Sequence, residues 1–397
     1  MPLLFFQGSA LDPQQQAVIL AETDAARVFR DAGCSDGDED KELVMTISIR
    51  DLPKVQLHDH LDGGLRPSTI IELAMERGIE LPSTDADQLG KWFFRGADQG
   101  SLPRYLEGFA VTTSVMQDQD ALVRVAKEHV ESLAADGVIY GEVRFAPVLH
   151  TEKGLDPDAV LEAVLEGIAA GCAATGIDVR IIVCSLRHMD PEVSLRSAEV
   201  AVKFRDKGVV GYDLAGDESG HPPAHHNDAF QFLRRSNFNI TIHAGEAFGL
   251  SSIWQAIQHC GAHRIGHATK LVEDDTVPGA HRGTLGEYIL DHRIPLEMCL
   301  SSNLHTGAVS ALEDHPFPRY LHEGYRVGLN VDNMLMSATT LTREWQLAKD
   351  LFGLGLDDLE RISVNSMKGA FCEHSTRRKV IQKQILPRFR EVRGDAS

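Results

Sequence analysis

The sequence predicts an α/β protein, a TIM-type (β/α)8 barrel with an inserted helical lid after the first strand and extra helices at the termini. Three observations carry that expectation. After Pro53, short apolar, β-branched runs alternate with helical stretches eight times over. Parallel strands joined by helices are the economical solution to such alternation, and eight of them can close into a barrel. Residues capable of chemistry fall at the C-terminal ends of the strand candidates, the face on which barrel enzymes build their sites. Finally, 43% of the 397 residues are hydrophobic, ample for one large core. Length alone suggests two or three domains, but such barrels run long as a single unit. A doubly wound open sheet is the alternative, and the gathering of polar residues on one rim weighs against it.

Taken in order, residues 1–10 contain Leu4-Phe5-Phe6-Gln7-Gly8-Ser9, which reads as the remnant of a protease-cleavable tag. Residues 11–45 read as a helical leader, closed by Gly33 and followed by an acidic linker from Ser35 to Glu42. Residues 46–397 are expected to form one catalytic barrel. Its strands are expected at 55–61, 138–147, 178–186, 209–215, 239–244, 264–268, 294–301 and 326–331. Helical patterns between them fall at 120–135, 156–175, 191–207, 225–236, 251–261 and 285–291. Residues 83–118 form an insertion in which Leu102, Tyr105, Leu106 and Phe109 share one helical face. That face suits either core packing or an apolar lid over the barrel mouth. Closing helices are expected from 357 through 390, with Arg377-Arg378-Lys379 as a solvated face.

Charge narrows the partners. The balance is 39 basic against 58 acidic side chains, net −19. Such a field repels nucleic acid, anionic membranes and phosphorylated substrates, so a neutral small molecule is the easier ligand. The six cysteines form no Cys-x-x-Cys clip and several lie in apolar runs, which suits free thiols in a reducing compartment. No window has the length of a membrane span and no secretory h-region follows a basic start, so the expectation is a cytoplasmic protein without membrane attachment. Oligomeric state is not legible.

The chemistry starts at His58-Asp59-His60-Leu61-Asp62-Gly63-Gly64. On a strand His58 and His60 point to one face and Asp59 to the other, so two imidazoles about 6–7 Å apart can reach one ion. Later strand ends add His243-Ala244-Gly245-Glu246, Gly266-His267-Ala268 and Val331-Asp332-Asn333. One rim thus carries four histidines, an aspartate and a glutamate. One Zn²⁺ per chain is expected on His58, His60, His243 and Asp332, with a position left for water. A water on such an ion has its pKa lowered from about 15.7 towards ~7. His267 and Glu246 remain for orienting or deprotonating the water and for protonating the group attacked. Two-metal relatives of this fold place a carboxylated lysine at the end of strand four. Here Asp213-Leu214-Ala215-Gly216-Asp217-Glu218 offers none, which favours one metal.

These motifs, with Pro53-Lys54-Val55 and Arg264-Ile265-Gly266-His267, closely resemble the adenosine deaminase family over roughly residues 50 to 375. The resemblance implies zinc on the four ligands above. It implies that Glu246 protonates purine N1, while His267 orients the attacking oxygen and, with Asp332, handles its proton. It implies further that the Gly216 backbone N–H meets N3, that Asp62 holds a ribose hydroxyl, and that Leu102 to Phe109 form an apolar gate. Where many members carry a second aspartate, this chain has Asn333, whose amide can donate to purine N7 without a proton of its own. The rivals are an adenine deaminase, in which a longer glutamate tends to replace Asp62, and a deaminase of a modified adenosine. A nucleotide deaminase would need a basic cluster for phosphate, and a cytidine-deaminase-like fold needs zinc cysteines that are missing here. An inactive barrel acting as a sensor would not require both Glu246 and His267.

Overall fold

The computed structural model describes residues 48–275 and 283–395. The tag-like opening and the helical leader lie outside the described residues. Residues from Ile47 onward form one compact unit. Eight strands run in the order β1 to β8: Lys54–Gln56, Val138–Phe145, Asp178–Leu186, Val209–Ala215, Asn239–Ala244, Arg264–His267, Leu296–Met298 and Val327–Leu329. Every neighbouring pair from β1–β2 to β7–β8 is parallel. Helices separate them, as in Gln119–Ala135 before β2 and Pro157–Thr175 before β3, so each buries one apolar face on the sheet. Both helices start where Asp118 and Asp156 accept N–H bonds at the N-cap.

Three expectations need correction. β1 ends at Gln56 rather than reaching residue 61, and β7 and β8 are three residues each. The reason lies at the seam where β8 meets β1. There the side chain of Asn330 replaces a backbone carbonyl, accepting from Leu57 N at 2.8 Å and His58 N at 3.1 Å. Backbone pairing resumes further along, with His60 N donating to Asp332 O (2.8 Å) and Asp332 N to His58 O (3.0 Å). The second correction concerns the insertion. Leu102 and Phe109 do not share one helix, because the chain breaks at Glu107-Gly108 between helices Leu102–Leu106 and Phe109–Ser114. A Cβ at Gly108 would meet the end of the Met336 side chain, with Sδ at 2.8 Å. Arg377-Arg378-Lys379 lies on helix His374–Val380 as expected, but Arg377 is half-buried rather than solvated.

The barrel interior is not purely apolar. Arg144 donates to Asp213 Oδ2 (2.8 Å) and Glu297 Oε2 (2.7 Å), while Arg264 donates to Glu142 Oε2 and Glu297 Oε1, both at 2.5 Å. All five side chains are buried. This ionic floor sits directly beneath the site.

Candidate active site

The rim above that floor is built from strand ends that turn sharply. His267, Ala268 and Asp332 have φ of 65°, 56° and 66°. Such left-handed backbone is unfavourable for side-chain-bearing residues and persists where surrounding structure imposes it. It turns His267 and Asp332 inward at the ends of β6 and β8.

Two histidines are oriented by carboxylates. His58 Nδ1 donates to Glu297 Oε2 at 2.8 Å, and His243 Nδ1 to Asp213 Oδ2 at 3.0 Å. A carboxylate only accepts here, so each proton sits on Nδ1 and each Nε2 lone pair is left for a ligand. His58 Nε2 lies 3.2 Å from Asp332 Oδ1 but finds no hydrogen-bond partner. His60 Nε2 lies 3.2 Å from His243 Nε2 and 3.3 Å from Asp332 Oδ1. Ser302 Oγ donates to Asp332 Oδ2 at 2.6 Å.

Donor atoms of His58, His243, His267 and Asp332 also lie within 4.8 Å of one another, a group that can hold a metal ion. Two sets therefore compete, with His60 or His267 as the third imidazole. A hydrogen-bond chain decides between them. The backbone N–H of Phe317 donates to His315 Nδ1 at 3.1 Å. Burial holds the His315 pKa down at about 3, so the ring is neutral and its one proton sits on Nε2. That N–H donates to Asn303 Oδ1 at 3.1 Å, which leaves the Asn303 amide nitrogen to donate to His267 Nδ1 at 3.0 Å. Burial, then the neighbouring His58, push the His267 pKa well down, so it too is neutral, with its proton on Nε2. A protonated nitrogen cannot ligate. In this arrangement His267 Nε2 is a donor, and His60 Nε2 is the imidazole nitrogen left beside His243 Nε2 and Asp332 Oδ1.

The donor set and the charge both fit a divalent cation. Beneath and beside it stand the carboxylates Glu142, Asp213, Glu297 and Asp332 against two guanidiniums, Arg144 and Arg264, a formal deficit of two. Three imidazole nitrogens and one carboxylate suit a borderline metal better than a hard one.

Glu246 lines the same pocket, beside His267. Burial, reinforced by Asp332 and Glu218, raises its pKa to about 8, so it carries a proton at neutral pH. Thr306 Oγ1 donates to its Oε1 at 2.9 Å, and His267 Nε2 lies 3.6 Å from its Oε2. Its loop is held by Glu218, whose carboxylate accepts the N–H groups of Gly245, Glu246, Ala247 and Phe248 at 2.7–3.0 Å. Arg187 adds bonds to the carbonyls of Leu214 and His243.

These groups open into a cavity of about 260 Å³. Of the residues named from sequence, His58 is buried behind it and the other twelve line it. Leu102, Tyr105, Leu106 and Phe109 form its apolar wall, with the Phe109 ring 6.3 Å from His60. The Tyr105 hydroxyl is already engaged with Ser337 Oγ at 2.8 Å. Asp62 is buried with Oδ1 unpaired, and burial raises its pKa to about 7. Asn333 seats against Gly63, where a Cβ would meet Asn333 Oδ1 at 1.7 Å. Gly216 adopts φ +91°, yet a Cβ there would meet protein only at 3.4 Å or beyond. Its constraint is the backbone conformation and the cavity it borders.

Sequence reading missed His188 and Cys184 in the lining, and Asp213, Glu297, Glu218 and Asn303 behind it. The available signal was charge inside otherwise apolar strands, such as Glu142 and Arg144 two apart on one face of β2.

A parallel eight-stranded barrel with a metal-binding group and a buried acid on its C-terminal rim defines the metal-assisted hydrolases of this fold. The chain belongs to the adenosine deaminase family, whose model matches residues 53–385. It is 51% identical to the adenosine deaminase of Mycolicibacterium vanbaalenii over 87% of this chain and 98% of that one. It is 50% identical to adenosine deaminase 1 of Streptomyces coelicolor, over 87% and 89%. Among solved structures, an ADAL–IMP complex matches at 26% identity with a TM-score of 0.74, covering 88% of this chain and 99% of the other.

Proposed function

We propose that the enzyme hydrolyses adenosine, and 2′-deoxyadenosine in the same way, to inosine and ammonia with one Zn²⁺ per chain. The observation that carries this reading is Glu246, a buried carboxyl whose pKa is raised to about 8 and which lines the same cavity as the donor cluster, 3.6 Å from His267.

His58, His60, His243 and Asp332 would hold the zinc, which when bound supplies acidification of water at neutral pH. Glu246 gives its proton to purine N1, which makes C6 electrophilic. His267 donates its Nε2–H to the attacking oxygen and orients it; since that nitrogen already holds a proton, Asp332 is the acceptor of the water's proton. Asp62 holds a ribose hydroxyl, the Gly216 N–H meets N3 and the Asn333 amide meets N7. Leu106 and Phe109 exclude water. Asp332 passes its proton to the 6-amino group, which leaves as ammonia, and the C6 hydroxyl returns its proton to Glu246 as the carbonyl forms, so that adenosine and water give inosine and ammonia with both carboxyls restored.

Among the described residues no lysine or arginine lines the cavity, which opposes a phosphorylated substrate. The described cysteines are free thiols, in keeping with a cytoplasmic enzyme. Among the described residues no helix is long and apolar enough to cross a membrane.

The test is an ultraviolet assay on adenosine, 2′-deoxyadenosine, adenine, AMP and N6-methyladenosine, with metal analysis on the same preparation. The nucleosides should turn over fastest, with about one equivalent of zinc bound. Faster turnover of adenine or AMP, or full activity without zinc, would overturn the reading.

A further inference from the structure

At the opposite end of the barrel from the active site lies a second groove, of about 540 Å³. It runs beneath the N-terminal ends of β5 to β8, where Asn239, His263, Pro295 and Arg326 stand at or just before the strand starts. Five cations line it: Arg234, Arg293, Arg326, Lys368 and Arg377. Among the described residues no aspartate or glutamate does. This is unexpected in a chain with 58 acidic residues against 39 basic.

Elsewhere arginines find carboxylates, as in Arg77–Asp118 (2.6 Å), Arg124–Glu128 (2.8 Å), Arg319–Asp275 (2.6 Å) and Arg393–Glu360 (2.6 Å). Among the described residues none of the five groove cations has such a partner. Arg293 and Arg377 each spend an N–H on a neutral carbonyl, of Gly324 and Ala370. The Arg326 guanidinium is half-buried and makes no hydrogen bond among the described residues. Burial, then Arg293 and Arg377, hold its basicity down. Like charges brought together and partly desolvated, with nothing opposing them, destabilise the fold by themselves. A multivalent anion relieves that repulsion, and guanidiniums suit phosphate oxygens by geometry as well as charge.

We propose that this groove binds the di- or triphosphate group of a small molecule, at a site separate from the catalytic one and independent of the function assigned to it. A monoanion would leave most of the excess charge in place, whereas a polyphosphate can bridge cations brought by helices Asn227–Arg235, Leu356–Gly369 and His374–Val380 and by Arg293 and Arg326 ahead of β7 and β8. The anion can be inorganic or the tail of a nucleotide, and the shared feature is the linked phosphates.

The experiment uses the full-length holoenzyme at near-physiological salt, titrated calorimetrically with inorganic pyrophosphate and, in a second arm, with ADP. Both titrations are repeated with the active site saturated by inosine, and metal content is checked afterwards. Expected are saturable binding of about one pyrophosphate, persistence in the presence of inosine, and a raised Tm. Arg326→Gln combined with Lys368→Gln should weaken binding about tenfold or more. The unliganded Tm of that variant should be unchanged or higher, because repulsion has been removed. Arg326→Lys should retain binding. Tighter binding of ADP than of pyrophosphate identifies a nucleotide tail; equal binding identifies the phosphates alone. Non-saturable heat, binding undiminished in the double variant, or the same Tm rise from sodium chloride at matched ionic strength would overturn the proposal.

Discussion

Glu246 shows how burial turns an ordinary carboxyl into an acid usable at neutral pH. Its folded pKa is raised from 4.5 to about 8. Between those values the folded state holds a proton that the unfolded state has lost, so this group's contribution to stability declines as pH rises through the window. Glutamine stays neutral throughout. Metal-stripped Glu246→Gln should therefore melt above the metal-stripped parent on the alkaline side of the window and close to it on the acid side, as followed by thermal denaturation. In the loaded enzyme the same change should cut turnover by about 10²–10⁴-fold with zinc retained; a near-normal rate would remove Glu246 from the chemistry. Asn303 sets the His267 tautomer without touching the cavity. Asn303→Leu should lower kcat by about 10–100-fold at unchanged zinc content. Zinc loss instead would mean that His267 is a ligand after all.

The insertion after β1 lines one wall of the cavity, while the β8–β1 seam brings His58, His60 and Asp332 towards His243 at the end of β5. Helices Leu102–Leu106 and Phe109–Ser114 contribute mainly apolar surface to the cavity, and the Tyr105 and Thr113 hydroxyls there are engaged with Ser337 and the Phe109 carbonyl. Phe109→Ala should raise KM for adenosine about tenfold, equivalent to ~1.4 kcal/mol, and leave kcat within a few-fold. An unchanged KM would show that the wall does not close on the nucleoside. Asp62, on the short turn Leu61–Gly63 that follows β1, is buried with one oxygen unpaired. Asp62→Ala should impair adenosine far more than adenine in parallel assays, since only adenosine has a ribose hydroxyl to lose. Equal impairment would undo the ribose assignment.

In the barrel as a whole, the ionic floor couples stability to metal binding. Arg144 bridges Asp213 and Glu297, and these orient His243 and His58. Replacing it leaves the buried Asp213 without a guanidinium and Glu297 with Arg264 alone, a change that costs about 3–5 kcal/mol. Arg144→Met should lower Tm and weaken zinc by about 10–100-fold in a chelator competition. A variant that loses stability but keeps zinc affinity would confine Arg144 to a structural role. The charge deficit of two at the site also predicts that chelation lowers Tm of the parent.

Much of this was legible from residues alone. Eight alternations of β-branched and helical pattern specify a closed parallel sheet, because each amphipathic segment has one face to bury and parallel strands demand crossovers. His58, His60, His243, His267, Asp332 and Glu246 stood out because they occur at strand ends, where the fold exposes side chains to one rim. What tertiary structure alone decided depends on distance and burial. Asn330 closing the seam, Glu218 gathering four amides and His315 fixing a proton on His267 all act between residues remote in the chain. Neither a pKa near 8 nor an uncompensated cluster of cations exists until folding excludes water and sets those side chains side by side.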